Sequence, residues 1–150
     1  MPTSLIPVHL EHLSEHSAHA LCAWLLAHAG LKTGDLDRAR RLAQESAGSS
    51  LTELLTRLGL VSELDVARAW ASTLGAPLLM ADAVPLPVDA LPSLSERFMR
   101  HHRLLPIGTH ADGVHVLTAN PGNAYALRAV RYACQTPVYV SVGLASDVDV

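Results

Sequence analysis

From Ser17 onward the apolar positions of the chain recur with helical spacing. Leu21, Trp24, Leu25 and His28 fall at i, i+3, i+4 and i+7, and Gly30 supplies a left-handed stop. Thr33 is placed to cap the next helix, with Asp35 and Asp37 in a first turn where the dipole favours acids. Leu36, Ala39, Leu42 and Ala43 form its apolar face, and Gly48 ends it. Ser50 opens a short helix through Leu51, Leu54, Leu55 and Leu58, closed by Gly59. Ser62 and Asp65 make a Ser-x-x-Asp start, a weaker form of the capping box. Leu64, Ala67, Trp70, Ala71 and Leu74 follow at helical spacing up to Gly75-Ala76-Pro77. Two stretches echo each other: Gly30-Leu31-Lys32-Thr33 recurs as Gly59-Leu60-Val61-Ser62, and Leu36-Asp37-Arg38-Ala39-Arg40 as Leu64-Asp65-Val66-Ala67-Arg68. Helix-turn-helix units reuse the same cap chemistry, so the echo is a modest sign of duplication.

The pattern changes after Leu78. Pro77, Pro85, Pro87 and Pro92 rule out a continuous helix and mark an extended connector over 79–93. Ser93 or Ser95 opens a helix to about His102. Leu104 to Ile107 is extended, Ala111-Asp112-Gly113 is a hairpin signal, and Val114, Val116 and Thr118 alternate as a strand does. Ala124, Leu127, Ala129, Val130 and Ala133 predict a helix, and Pro137 to Val142 a β-branched strand. The expected fold is α+β. A helical subdomain of about four helices, 1–78, with 1–16 poorly ordered, precedes a small α/β subdomain, 94–150, in the order helix-strand-strand-helix-strand. Ser146-Asp147 reads as a helix cap four residues before the last residue, which suggests a fragment of a longer polypeptide.

Composition narrows the possible functions. Hydrophobic residues make up 49% of the 150 positions and charged residues 17%, which excludes wholesale disorder. Mean hydropathy is +0.24, yet the longest strictly apolar run, Ala20 to Ala27, is far short of the about 20 residues a membrane span needs. A net charge of −3 argues against nucleic acid as a partner. Cys22 and Cys134 lie in apolar helical patterns and read as buried thiols of a cytoplasmic protein.

No catalytic residue emerges. Leu31 stands before the only lysine, Lys32, where a phosphate-binding loop requires Gly, and no nucleophile elbow, His-Glu-x-x-His or Cys-x-x-Cys occurs. His9, His12, His16 and His19 would share one helical face and could approach a metal ion. Pro7 precedes them and no cysteine joins them, so a solvated face above Leu10 and Leu13 is the better reading, with no metal and no cofactor expected. Arg97, Arg100, His101, His102 and Arg103 form a basic patch, which suits a helix C-terminus better than contact with an acidic partner or with lipid headgroups.

The stretch Leu54 to Pro77, LLTRLGLVSELDVARAWASTLGAP, resembles the N-terminal domain of type II secretion and type IV pilus assembly ATPases, the GspE/XpsE-like family. Arg103-Leu104-Leu105-Pro106-Ile107-Gly108 and Val114 to Pro121 look like later strands of that family, in the same order, so the resemblance covers about 30–150. It implies a non-catalytic adaptor at the inner membrane, with ATPase domains following. Its helical part would dock on the cytoplasmic domain of the membrane platform protein (GspL-like), while the connector acts as a hinge. Arg38, Arg41 and Gln44, outward by helical phase, are the candidate docking residues. One variant of the domain, the MshEN type, binds cyclic di-GMP through a 24-residue pattern that would run here from Ser50 to Thr73. Leu51, Leu55, Gly59, Leu60, Val61, Val66 and Trp70 keep its scaffold. Ser50 replaces its Arg, Thr52 its Gly and Thr73 its Gln. Loss of the Arg forfeits a charge-assisted hydrogen bond of about 1.5–3 kcal/mol, which argues against nucleotide binding. The alternatives to the adaptor are that cyclic di-GMP-binding regulatory domain and a stand-alone helical scaffold.

Overall fold

The computed structural model describes residues 7–9, 17–45, 50–80, 95–110 and 113–148. Its elements are β1 (Val8–His9), α1 (Ser17–His28), α2 (Thr33–Glu45), α3 (Leu51–Arg57), α4 (Glu63–Leu74), α5 (Glu96–His102), β2 (Leu104–His110), β3 (Gly113–Thr118), α6 (Ala124–Cys134), β4 (Val138–Val142) and α7 (Ala145–Val148). The α+β order read from the sequence is therefore present, with β1 added and the C-terminal helix seen as α7.

Local chemistry accounts for most boundaries. Ser50 Oγ accepts from the Glu53 N–H at 3.2 Å and starts α3. At α4 the capping box closes both ways: the Asp65 N–H donates to Ser62 Oγ at 3.0 Å, and the Ser62 N–H donates to Asp65 Oδ2 at 3.2 Å. Gly75 then ends α4 at φ 67°, a left-handed conformation that a β-carbon would strain. Ser95 caps α5 through the Phe98 N–H at 3.0 Å. Two expected caps lie elsewhere. α2 begins at Thr33 itself, with the Leu36 N–H on the Lys32 carbonyl, so Lys32 holds the cap position. α7 begins at Ala145, so Ser146 lies inside it and donates to Glu63 Oε2 of α4 at 3.0 Å.

The sheet has the order β1-β4-β3-β2. β3 and β4 are parallel, with Val116 opposite Val140, and α6 makes the crossover that parallel strands require. β2 pairs antiparallel with β3, and the register slips between Pro106 and Gly108. Proline has no N–H for the ladder, so it suits this edge strand. On the other edge, Val8 and His9 pair with Val140 and Tyr139. Part of the stretch expected to be poorly ordered thus fills half of the open edge of β4; its remainder lies outside the described residues. The other half is taken by the start of the connector: the Val142 N–H donates to the Pro77 carbonyl at 2.9 Å and the Leu79 N–H to the Val142 carbonyl at 2.8 Å. Most of the stretch read as a hinge, 79–93, lies outside the described residues, which stop at Met80 and resume at Ser95.

Three buried clusters hold the elements together. Leu21 and Leu25 of α1, Leu36 and Ala39 of α2, Leu55 of α3, and Val66 and Trp70 of α4 share one cluster with Val142 of β4, so the helices and the sheet are joined by common core. Leu104, Val114, Val116, Val138 and Val140 line one face of the sheet and pack on Ala126, Leu127 and Val130 of α6 and Phe98 of α5. Leu117 and Ile107 pack with Leu79 and Val148 in the third.

Candidate functional site

α2 buries Leu36 and Ala39, and the same helical phase leaves Arg38, Arg41 and Gln44 exposed. Arg40 pairs with Asp37 at 3.9 Å, whereas Arg38 and Arg41 form no ion pair among the described residues. This exposed side of α2 is polar and carries two guanidinium groups.

The residues of the degenerate dinucleotide pattern are engaged in the fold itself. Ser50 caps α3, and its hydroxyl is 3.3 Å from Thr52 Oγ1. Thr52 is 9% exposed, so its side chain fills space where glycine would leave room. Gly59 takes the left-handed turn after α3 at φ 74°, matching Gly30 at 71° after α1. Thr73 is half-buried in the last turn of α4.

Only Thr52 of that set lines a cleft of about 370 Å³ where α3 and α4 meet the ends of β3 and β4. Thr56 and Arg57 of α3, Asn120 after β3, Gly143 after β4, and Arg103 complete its polar wall. Arg103 caps α5 at φ 54°, a conformation non-glycine residues seldom adopt. Glu53 and Glu63 also line the cleft and balance the two guanidinium groups, so it offers hydrogen bonds more than net charge. The sequence patterns missed Arg57, Arg103 and Asn120 as a group, because the fold alone brings them together. Helical phase did carry one unused signal: with Ala126, Leu127 and Val130 inward, Tyr125 and Tyr132 of α6 had to point out.

His115 Nε2 lies 2.7 Å from Ser141 Oγ, but Ser141 is fully buried, so the pair ties β3 to β4 and cannot reach a substrate. Cys22 is buried and Cys134 half-buried, and burial pushes the Cys134 thiol up from its ordinary value. Among the described residues no three His, Cys, Asp or Glu side chains approach closely enough to hold a metal ion. His12 and His16 lie outside them. No helix among the described residues is long and apolar enough to cross a membrane. In the basic patch, Arg100 pairs with Glu96 at 2.7 Å, and the His102 ring packs tilted against Phe98 with centroids 4.6 Å apart and meets the Asn123 amide at 3.1 Å.

The described residues form a helical layer fused to a small mixed sheet. The MshEN domain matches residues 74–149, just over half of the chain, and the chain belongs to that family. It is 41% identical over 129 residues to the type II secretion system protein E of Xanthomonas campestris pv. campestris, covering 83% of this chain and 23% of that protein. The chain thus spans about a quarter of the length of that curated relative. The crystallised N-terminal domain of XpsE matches with a TM-score of 0.78 at 38% identity, over 89% of this chain and 91% of that one. A structure of MshE with cdg matches the fold with a TM-score of 0.67 at 23% identity, over 85% of this chain and 92% of that one.

Proposed function

We propose that this chain is the N-terminal adaptor region of a type II secretion ATPase, non-catalytic in itself, and that it recruits the motor to the inner membrane by docking on the cytoplasmic domain of the platform protein. The observation that carries this reading is its similarity, along nearly the whole chain, to the N-terminal domain of XpsE. The exposed cationic face of α2 supports it, since Arg38 and Arg41 have no partner among the described residues and Gln44 extends the same face. Binding energy would come from differential contacts there, and the ATPase domains would belong to the longer polypeptide. The adaptor would then be cytoplasmic and peripheral, held at the membrane by its partner.

Calorimetry with the purified cytoplasmic domain of the platform protein tests this. Micromolar or tighter binding is expected, weakened at least tenfold by Arg38→Glu with Arg41→Glu while the melting temperature stays unchanged. Absence of binding sinks the reading. Cyclic di-GMP is the competing ligand. The capping role of Ser50 and the buried Thr52 side chain disfavour it. Micromolar affinity for that dinucleotide would replace the adaptor reading with a regulatory one.

A further inference from the structure

The chain contains six aromatic Phe, Trp and Tyr residues, and two of them stand almost fully in solvent on one helix. Tyr125 is 72% exposed and Tyr132 81%. Both lie on α6 at i and i+7, so they project from the same side about 10 Å apart along the axis. Arg128 is exposed between them at i+3, and Arg131 is exposed beside Tyr132. The inner side of α6 is already occupied by the sheet through Ala126, Leu127 and Val130, so this outer stripe contributes nothing to the core.

The stripe runs into the outer side of α5. His102 is 5.9 Å from the Tyr125 ring and 4.8 Å from His101, and Arg97, Arg100 and His101 are exposed there. Between 95 and 135 the chain has five arginines and two acidic residues, although its overall net charge is −3. Arg97, Arg128 and Arg131 have no ion-pair partner among the described residues. A helix C-terminus can use the cations of α5, but it gives no reason for two exposed tyrosines on the neighbouring helix. Rigid Tyr rings interleaved with Arg are the residues that dominate binding energy at protein interfaces. The surface is a pair of convex helices, unlike the positively charged groove through which single-stranded nucleic acid is tracked.

We propose that the outer face of α5 and α6 is a docking surface for an acidic protein partner. Tyr125 and Tyr132 are its aromatic anchors, and Arg97, Arg128 and Arg131 pair with the partner's carboxylates. This surface is distinct from the α2 face and does not rest on the adaptor reading.

The experiment is a titration of the isotope-labelled chain, followed through its backbone amide resonances, with a synthetic amphipathic helix bearing leucines on one face flanked by glutamates. Shifts confined to α5 and α6 are expected, with at least fivefold weaker binding for Tyr132→Ala and for Arg128→Glu, and no shifts with the lysine-for-glutamate peptide. Both side chains are exposed, so thermal unfolding of the variants should match that of the parent chain; a second pair, Tyr125→Ser and Arg131→Gln, should reproduce the loss. Shifts centred on α2, no shifts at all, or unchanged affinity in the variants would overturn the proposal. So would equal or tighter binding at this face of phosphatidylglycerol vesicles or of a twenty-residue oligothymidine.

Discussion

Asn123 holds two helices at once, and replacing it separates their contributions. Its Oδ1 accepts from the Ala126 N–H at 3.1 Å and caps α6. That contact orients the amide, so Nδ2 is the atom 3.1 Å from His102 Nδ1 on α5. An amide nitrogen can only donate, hence the imidazole accepts at Nδ1 and is neutral in this arrangement. Burial lowers the His102 pKa below 6.5, and the neighbouring His101 lowers it further. Asn123→Ala removes a cap worth about 1 kcal/mol and a hydrogen bond worth about 1 kcal/mol. For a chain of this length, that combined loss lowers the melting temperature by roughly 4–8 °C. Asn123→Asp is the sharper perturbation: it keeps the cap but sets a carboxylate where His102 had a donor.

The two chains then differ in the sign of their pH dependence. In the parent chain the folded His102 pKa lies below the unfolded value of 6.5. The contribution of neutral His102 is therefore complete above that pH and is lost as pH falls through 6.5 toward the folded pKa. In Asn123→Asp the folded pKa moves up. Once it passes 6.5, the contribution is present below that pH and lost as pH rises through the folded pKa. Proton NMR titration of the His102 ring reads both values, and melting at pH 5 and pH 8 reads the consequence. A parent pKa at or above 6.5, or a lower pKa in the aspartate variant, would refute the reasoning.

Two further perturbations probe the joint between helices and sheet. Leu55 is fully buried among α1, α2 and α4 residues, so Leu55→Ala should cost about 2–5 kcal/mol and lower the melting temperature by more than about 4 °C. A loss under about 1 kcal/mol would show that α3 is not held by that core. A β-carbon added at Gly122 would lie 2.6 Å from Cη2 of Trp70, whose ring is only 3% exposed. Gly122→Ala should therefore cost about 1–3 kcal/mol and shift the tryptophan emission, and an unchanged chain in both assays would show slack between this loop and α4.

The starts of α3, α4 and α5 were legible because Ser50, Ser62 and Ser95 each bond a backbone N–H only three residues ahead. The Gly30 and Gly59 turns were legible for the same reason, a conformation set by the residue itself. Ser146 lies inside α7, which starts one residue earlier, and its bond to Glu63, 83 residues away, is a contact no local pattern carries. The exposure of Arg38, Arg41 and Gln44 followed from helical phase, since α2 has one buried side. The cleft did not follow from any pattern: Arg57, Arg103 and Asn120 come from three separate elements.

What this amino-acid sequence determined by itself is therefore the identity and order of its helices and of the three main strands. Period, caps and turns act within about four residues, and each is written where it operates. The tertiary structure alone decided that Val8–His9 and Leu78 share the open edge of β4, that Val142 joins the sheet to the helical core, and that α5 lies beside the tyrosine stripe of α6. Those contacts depend on which surfaces the chain brings together once apolar area is buried, and no local run of residues encodes that distance.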